Sequence, residues 1–114
     1  MPLESVTQAA LQSALDGLSL RQKSIANNIA NVNTPGYQAK RVQFEEALGR
    51  SVAEGGGAVQ ATTARSLEPT RTDGSNVNLD EETLDSIETG LRYQFATQAM
   101  TQQFQSLTAA LKTD

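Results

Sequence analysis

Apolar residues in the first third of the chain recur in alternating steps of four and three: Leu11, Leu15, Leu18, then Gln22, then Ile25, Ile29 and Val32. That is the spacing of a coiled-coil seam with one polar interruption, and it predicts a helix from Glu4 to Val32. About 28 residues rising 1.5 Å each make a rod of roughly 40 Å. The helix must end near Val32 or Asn33, because Thr34 precedes Pro35 and is pushed out of the α region. Thr34, Pro35, Gly36 and Tyr37 then suit a type II turn, proline fixing one φ and glycine supplying the positive one. Tyr37 reads as a packing anchor beside that corner.

A second helix is predicted from about Asp80 to Lys112. Leu84, Ile87, Leu91 and Phe95 form one apolar stripe; Met100, Phe104, Leu107 and Leu111 form another, rotated from the first, so the helix can touch more than one neighbour. Asn78 or Asp80 can cap it, and Asp80, Glu81 and Glu82 put negative charge on the positive end of its dipole. Gly90 costs about 1 kcal/mol relative to Ala in a helix interior. It reads either as room for a close helix crossing or a bend, or as a tolerated weak spot. The seam residues of the first helix are expected to pair with Leu84, Ile87, Leu91, Phe95, Phe104 and Leu107 of the second.

The segment between has a different texture. "EGGGAVQATTARSLEPTRTDGSNVN" is rich in Gly, Thr, Ser and Asn and poor in large apolar groups. Short strands can form at Val59 to Thr63 and Val77 to Leu79, with Asp73-Gly74 as a turn signal. With little core to hold them, this insert is expected to be mobile in the isolated chain. The fold class is therefore mainly α: long N- and C-terminal helices paired as a coiled coil, with a mostly irregular insert in which a short β-hairpin can form. The expected divisions are 1–33, 34–79 and 80–114, together one core domain.

Composition narrows the chemistry. The chain has 114 residues, 38% hydrophobic and 4% aromatic, which is thin for a self-sufficient core. A formal charge of -4 disfavours electrostatic binding to nucleic acid or anionic lipid. No His and no Cys removes the commonest general base, the commonest metal ligand and all thiol chemistry. Neither a cleavable signal peptide nor a membrane span is legible. The carboxylate pairs Glu45-Glu46 and Glu81-Glu82 read as solvated surface, since sequence neighbours do not face each other on a helix and nothing apolar nearby would raise a pKa. The Gly55 to Gly57 run lacks the Lys-Ser/Thr of a phosphate loop and reads as a flexible link. Lys40-Arg41 is too small a basic patch for nucleic acid. No catalytic residue, cofactor or metal is expected.

Charge is also distributed unevenly. There is no charged residue between Lys23 and Lys40, nor between Arg92 and Lys112. Amides fill both gaps: Asn27, Asn28, Asn31 and Asn33 in the first, Gln98 and Gln102 among those in the second. Neutral amides enter an interface without the desolvation cost of charge if they find partners, and interface cores are depleted of charge. These six residues are expected to make polar contacts between subunits. A small soluble helical adaptor binding one partner helix is the alternative; it should be a folded monomer or dimer alone, whereas a polymerising subunit should be loose.

"ANNIANVNTPGYQAKRVQFEEAL" resembles the N-terminal signature of bacterial flagellar axial proteins, the rod and hook family, through the run Asn28 to Tyr37. "DGSNVNLDEETLDSIETGLRYQ", Asp73 to Gln94, is similar to the start of that family's C-terminal helix. Short length and Arg41-Val42-Gln43-Phe44 resemble its proximal rod members; Glu82-Thr83 departs from the Glu-Met common in one of the two short ones. The resemblance implies a structural subunit of the flagellar drive shaft in the cell envelope, needed for motility. It implies terminal helices paired as a coiled-coil layer, and export through the flagellar type III apparatus without cleavage. Implied partners are copies of itself, other flagellar rod proteins, and a basal-body ring or export-gate adaptor at the rod base.

Overall fold

The computed structural model describes residues 3–112. Five elements follow in order: α1 (Leu3–Ala30), β1 (Lys40–Gln43), α2 (Glu45–Ala53), β2 (Thr62–Arg65) and α3 (Leu79–Lys112). The molecule measures 67 × 25 × 14 Å, its length set by the two long helices. They run antiparallel: Asn28 meets Glu82 and Gln22 meets Ser86, while Ala14 and Ala96 pack on one cluster farther along.

Both helix ends follow local chemistry. Past Ala30 the chain tightens, Val32 N–H donating to Ile29 O and Thr34 N–H to Asn31 O. Gly36 takes φ +75°, and Tyr37 N–H closes the turn on Thr34 O at 3.2 Å. At the start of α3, Asn78 Oδ1 accepts the Glu81 N–H at 3.2 Å and Asn78 O accepts that of Glu82 at 2.9 Å. Such a cap contributes about 1 kcal/mol.

The insert is packed. β1 and β2 pair antiparallel, Lys40 opposite Arg65 through Gln43 opposite Thr62. Val42, Phe44 and Leu18 form the buried cluster, flanked by Ala14, Leu48, Ala61 and Ala96. Phe44 lies flush on α1 because residue 17 is glycine: a Cβ there would sit 2.5 Å from the ring. The Arg21 guanidinium lies 4.9 Å from the centroid of the same ring. Farther along α1, Ser13 Oγ donates to Gly57 O and accepts the Val59 N–H, each at 3.1 Å. Gly57 has φ +88°, and a Cβ there would come within 2.6 Å of Val6 O. The last glycine of the run, Gly57, is therefore a close approach to α1, where a flexible link was expected.

Three further expectations change. The strands lie at 40–43 and 62–65, not at 59–63 and 77–79; Val77 is buried just before α3 begins. Residues 45–53 form a helix that the sequence reading left out. The third change concerns helix pairing. Leu18 and Ile25 are buried and Leu11, Leu15, Ile29 and Val32 half-buried, yet their expected partners are exposed: Leu84 65%, Ile87 59%, Leu91 54%, Phe95 71%, Phe104 56% and Leu107 47%. Toward α1, α3 turns Glu82 and Thr89, both buried, with half-buried Ser86, Gly90, Ala96 and Met100. Apart from Met100 these are small or polar groups, which let the helices approach and bond and leave the apolar stripe facing out.

Candidate assembly interface

At the Asn-rich end, Asn28 is 1% exposed and serves the chain's own interior. Its Nδ2 donates to Lys40 O at 2.9 Å and to Glu82 Oε1 at 3.1 Å, and its Oδ1 accepts the Lys40 N–H at 3.1 Å. One amide thus mimics a neighbouring strand for β1 while holding α3. The Tyr37 hydroxyl lies 3.5 Å from the same Oδ1. The expectation that Asn28 bonds a neighbouring subunit is corrected: its donors and acceptor are used within the chain. Asn31 is half-buried and donates to Asn27 O; Asn27 and Asn33 are exposed.

Two residues not singled out beforehand complete this end. Buried Asn76 accepts the Ala39 N–H at 2.7 Å and donates to Ser66 O and Glu68 O, each at 3.2 Å. Arg71 donates to Val77 O at 2.7 Å and to Val32 O, capping the carbonyl end of α1. The Gly36 N–H donates to Asp73 O at 2.8 Å, so the Pro-Gly corner leans on the Asp73-Gly74 turn. Charge absent from residues 24–39 of the sequence is brought there by Glu82, Arg71 and Asp73.

Midway along, a cleft of about 260 Å³ separates α1, β1 and α3. Arg21 donates to both Glu45 oxygens and to Val42 O, and Arg92 bridges Glu45 to Glu88. The hydrogen bond from Arg21 holds the Glu45 carboxyl below the ordinary carboxylate range, while burial opposes it. Arg41 pairs with Asp85 at 3.2 Å. Glu82, expected on solvated surface, is 4% exposed. Burial pushes its carboxyl up, with the Asn28 hydrogen bond and Arg41 acting against the shift. The two carboxylate pairs are thus split, since Glu45 and Glu82 are structural while Glu46 is exposed and Glu81 half-buried. Within the cleft Arg21, Arg41 and Arg92 are paired with Glu45, Asp85 and Glu88. Among the described residues no group of three or more acidic side chains is placed to hold a metal ion.

The far half of α3 behaves differently. Gln98 and Gln102 are exposed beside Phe95, Phe104 and Leu107. Thr97, Thr101 and Thr108 donate their hydroxyls to the carbonyls of Tyr93, Thr97 and Phe104, at 2.9, 3.0 and 2.9 Å. With those hydroxyls tied to the helix, what remains to be solvated is largely methyl, aromatic and amide. Exposed apolar stripes of this length mark binding surfaces more often than accidents.

Comparison with known proteins matches residues 9–38 to a family described as flagella basal body rod protein. The flagellar basal body rod protein FlgB of Bacillus subtilis is 31% identical, over 97% of this chain and 97% of its own. That of Borrelia hermsii is also 31% identical, over 86% of this chain and 90% of its own, and that of Escherichia coli 28% over 89% of each. The matched segment holds Asn28 and the Pro-Gly corner, which set the junction of the two long helices. The chain belongs to the flagellar basal body rod protein family.

Proposed function

We propose that the chain is a non-enzymatic subunit of the proximal rod and polymerises through its terminal helices. On this reading it reaches the envelope through the flagellar type III export apparatus. Its neighbours are copies of itself, other flagellar rod proteins and a ring or export-gate adaptor at the rod base. The two long helices and residues 34–79 act as one core, with Gln98 and Gln102 bonding across the interface and Asn27, Asn31 and Asn33 contributing at the other end. The carrying observation is the inverted helix α3, which pairs with α1 through small and polar residues while Leu84, Ile87, Leu91 and Phe95 stay outside. Fully burying one such side chain contributes about 1.5–3 kcal/mol, so four make an outlet for assembly energy that folding of the single chain does not use. A chain built to work alone would carry that stripe inward. The test replaces Leu84 and Leu91 with Gln. The folded monomer should keep its thermal midpoint, within the roughly 0.5 kcal/mol of ordinary surface changes. Basal bodies purified from cells making only this variant should lack the rod. Normal motility with both glutamines in place would remove the outward stripe as the interface.

A further inference from the structure

The two-stranded sheet has two outer edges, and the fold treats them differently. On the β1 side, Asn28 bonds both Lys40 N–H and Lys40 O, and Arg21 donates to Val42 O. Side chains of α1 thus take the place of a third strand. The β2 side has no such cover, and all four of its residues, Thr62–Arg65, are exposed. Ser66 N–H donates to Ala39 O at 2.8 Å, which together with the register fixes the alternation of the ladder. Thr62 and Ala64 bond inward to Gln43 and Arg41, while the N–H and C=O of Thr63 and Arg65 point away from β1. Among the described residues no hydrogen bond reaches those four outward groups. An open row of backbone donors and acceptors is a template for another strand.

Charge determines what that strand must carry. The register sets Lys40 directly opposite Arg65, and both are exposed. Like charges placed opposite each other across a ladder repel. Arg21, Arg41, Arg50, Arg71 and Arg92 each pair with an acid, whereas among the described residues Lys40 and Arg65 have none. We infer that the free edge of β2 accepts an extended acidic segment of a different protein as a third strand, with an Asp or Glu of that segment beside Arg65. Main-chain bonds to Thr63 and Arg65 hold the segment, and the carboxylate selects it. A second copy of this chain fits poorly, because its own edge would bring another Lys40 and Arg65 to the contact. The same two cations guard the edge against neutral and basic strands, so one feature both attracts and excludes. The edge belongs to the insert and not to the α3 stripe, so this contact neither requires nor replaces polymerisation through the terminal helices.

The test adds a synthetic hexapeptide of alternating valine and aspartate to the full chain and follows amide exchange by nuclear magnetic resonance. In the free chain the amides of Thr62 and Ala64 should be protected and those of Thr63 and Arg65 should exchange fast. Saturating peptide should slow Thr63 and Arg65 by about tenfold or more and leave Thr62 and Ala64 unchanged. That every-other-residue pattern marks an added strand, and attraction between charges alone does not produce it. A hexapeptide of alternating valine and lysine should slow neither amide. Arg65→Glu turns an attraction into a repulsion, so it should weaken the aspartate peptide roughly tenfold and let the lysine peptide bind. The exchange pattern of the wild type decides the question even if that variant does not fold. Fast exchange at Ala64 in the free chain, no slowing at Thr63 and Arg65, or equal binding of the lysine peptide overturns the inference. None of these outcomes touches the rod reading, which the Leu84 and Leu91 substitutions test separately.

Discussion

The Asn-rich end, residues 24–39, and the far half of α3, residues 93–111, are alike in sequence: both lack charge and both are full of amides and hydroxyls. In the fold they are opposites. Asn28 is 1% exposed and its amide is saturated by Lys40 and Glu82, with Arg71 and Asp73 drawn in around it. The far half of α3 receives no such company, and Phe95 and Phe104 stand 71% and 56% exposed. The difference lies in what must be joined. Where α1, β1 and α3 converge, backbone groups of the insert need partners, and an amide can give and accept at once. Where α3 runs beside α1 alone, backbone groups before the last turn bond within the helix, and side chains are left for a neighbour. A charge-free stretch therefore signals burial without saying whose interior is meant.

Removing the amide at each end should have very different consequences. Asn28→Leu keeps the branching and heavy-atom count of the side chain, with bulkier methyl ends, and strips Lys40 N–H, Lys40 O and Glu82 of a buried partner. Each unsatisfied group costs about 1–3 kcal/mol, so the sum is a large part of the stability of a small domain. The isolated variant should be largely unfolded by circular dichroism under conditions where the wild type is folded. Gln102→Leu at the other end should leave the melting curve unchanged. Equal and small effects at both sites would show that the Asn28 bonds do not hold the junction.

A gentler contrast uses one substitution with opposite signs. Gly36 has φ +75° and open space around it, so Gly36→Ala should cost about 1 kcal/mol through backbone strain alone. Gly90 lies inside α3, where an added Cβ would come no nearer than 3.9 Å to Gln22 Nε2. Gly90→Ala should therefore stabilise by about 1 kcal/mol from helix propensity. Urea unfolding of both variants decides it; a loss at Gly90 would point to a tighter α1–α3 crossing than the structure has.

What could be read from sequence follows the same division. Helix periods, the Thr34–Tyr37 turn and the Asn78 cap are local, and they stand in the structure where spacing and turn chemistry put them. The direction of the α3 stripe was not legible, because periodicity gives a face and not what it faces. Nor was the choice of Asn28 over Asn27, since only the return of β1 across α1 makes one an interior group and leaves the other in water. Glu82 was misread for a related reason: its neighbours in sequence are polar, while its neighbours in space come from α1 and β1. The ring of Phe44 against Gly17 is a contact 27 positions apart, visible beforehand only as a glycine in an otherwise regular helix.

The smallest effect tests the Asn-rich junction through its one buried acid. Burial lifts the Glu82 carboxyl above its ordinary 4.5, so the folded chain holds that proton more readily than the unfolded chain does. Between the two values the folded state carries more protons, and stability must fall as pH rises through that window. Glu45 works the other way: held low by Arg21, it contributes stability above its unfolded value that is lost as pH falls through its folded one. Glu82→Gln removes the first limb and leaves the second, since a glutamine Oε1 can still accept the Asn28 amide. The wild type should lose some stability from mildly acidic pH toward neutral, and the variant should not, while both weaken together at lower pH. Residues 93–111 contain no Asp, Glu, Lys or Arg, so substitutions there should leave both limbs in place. If Glu82→Gln instead lowers stability at neutral pH, the carboxylate is held in place by Arg41 more strongly than burial opposes it, and the junction is an ion-pair site rather than an amide one.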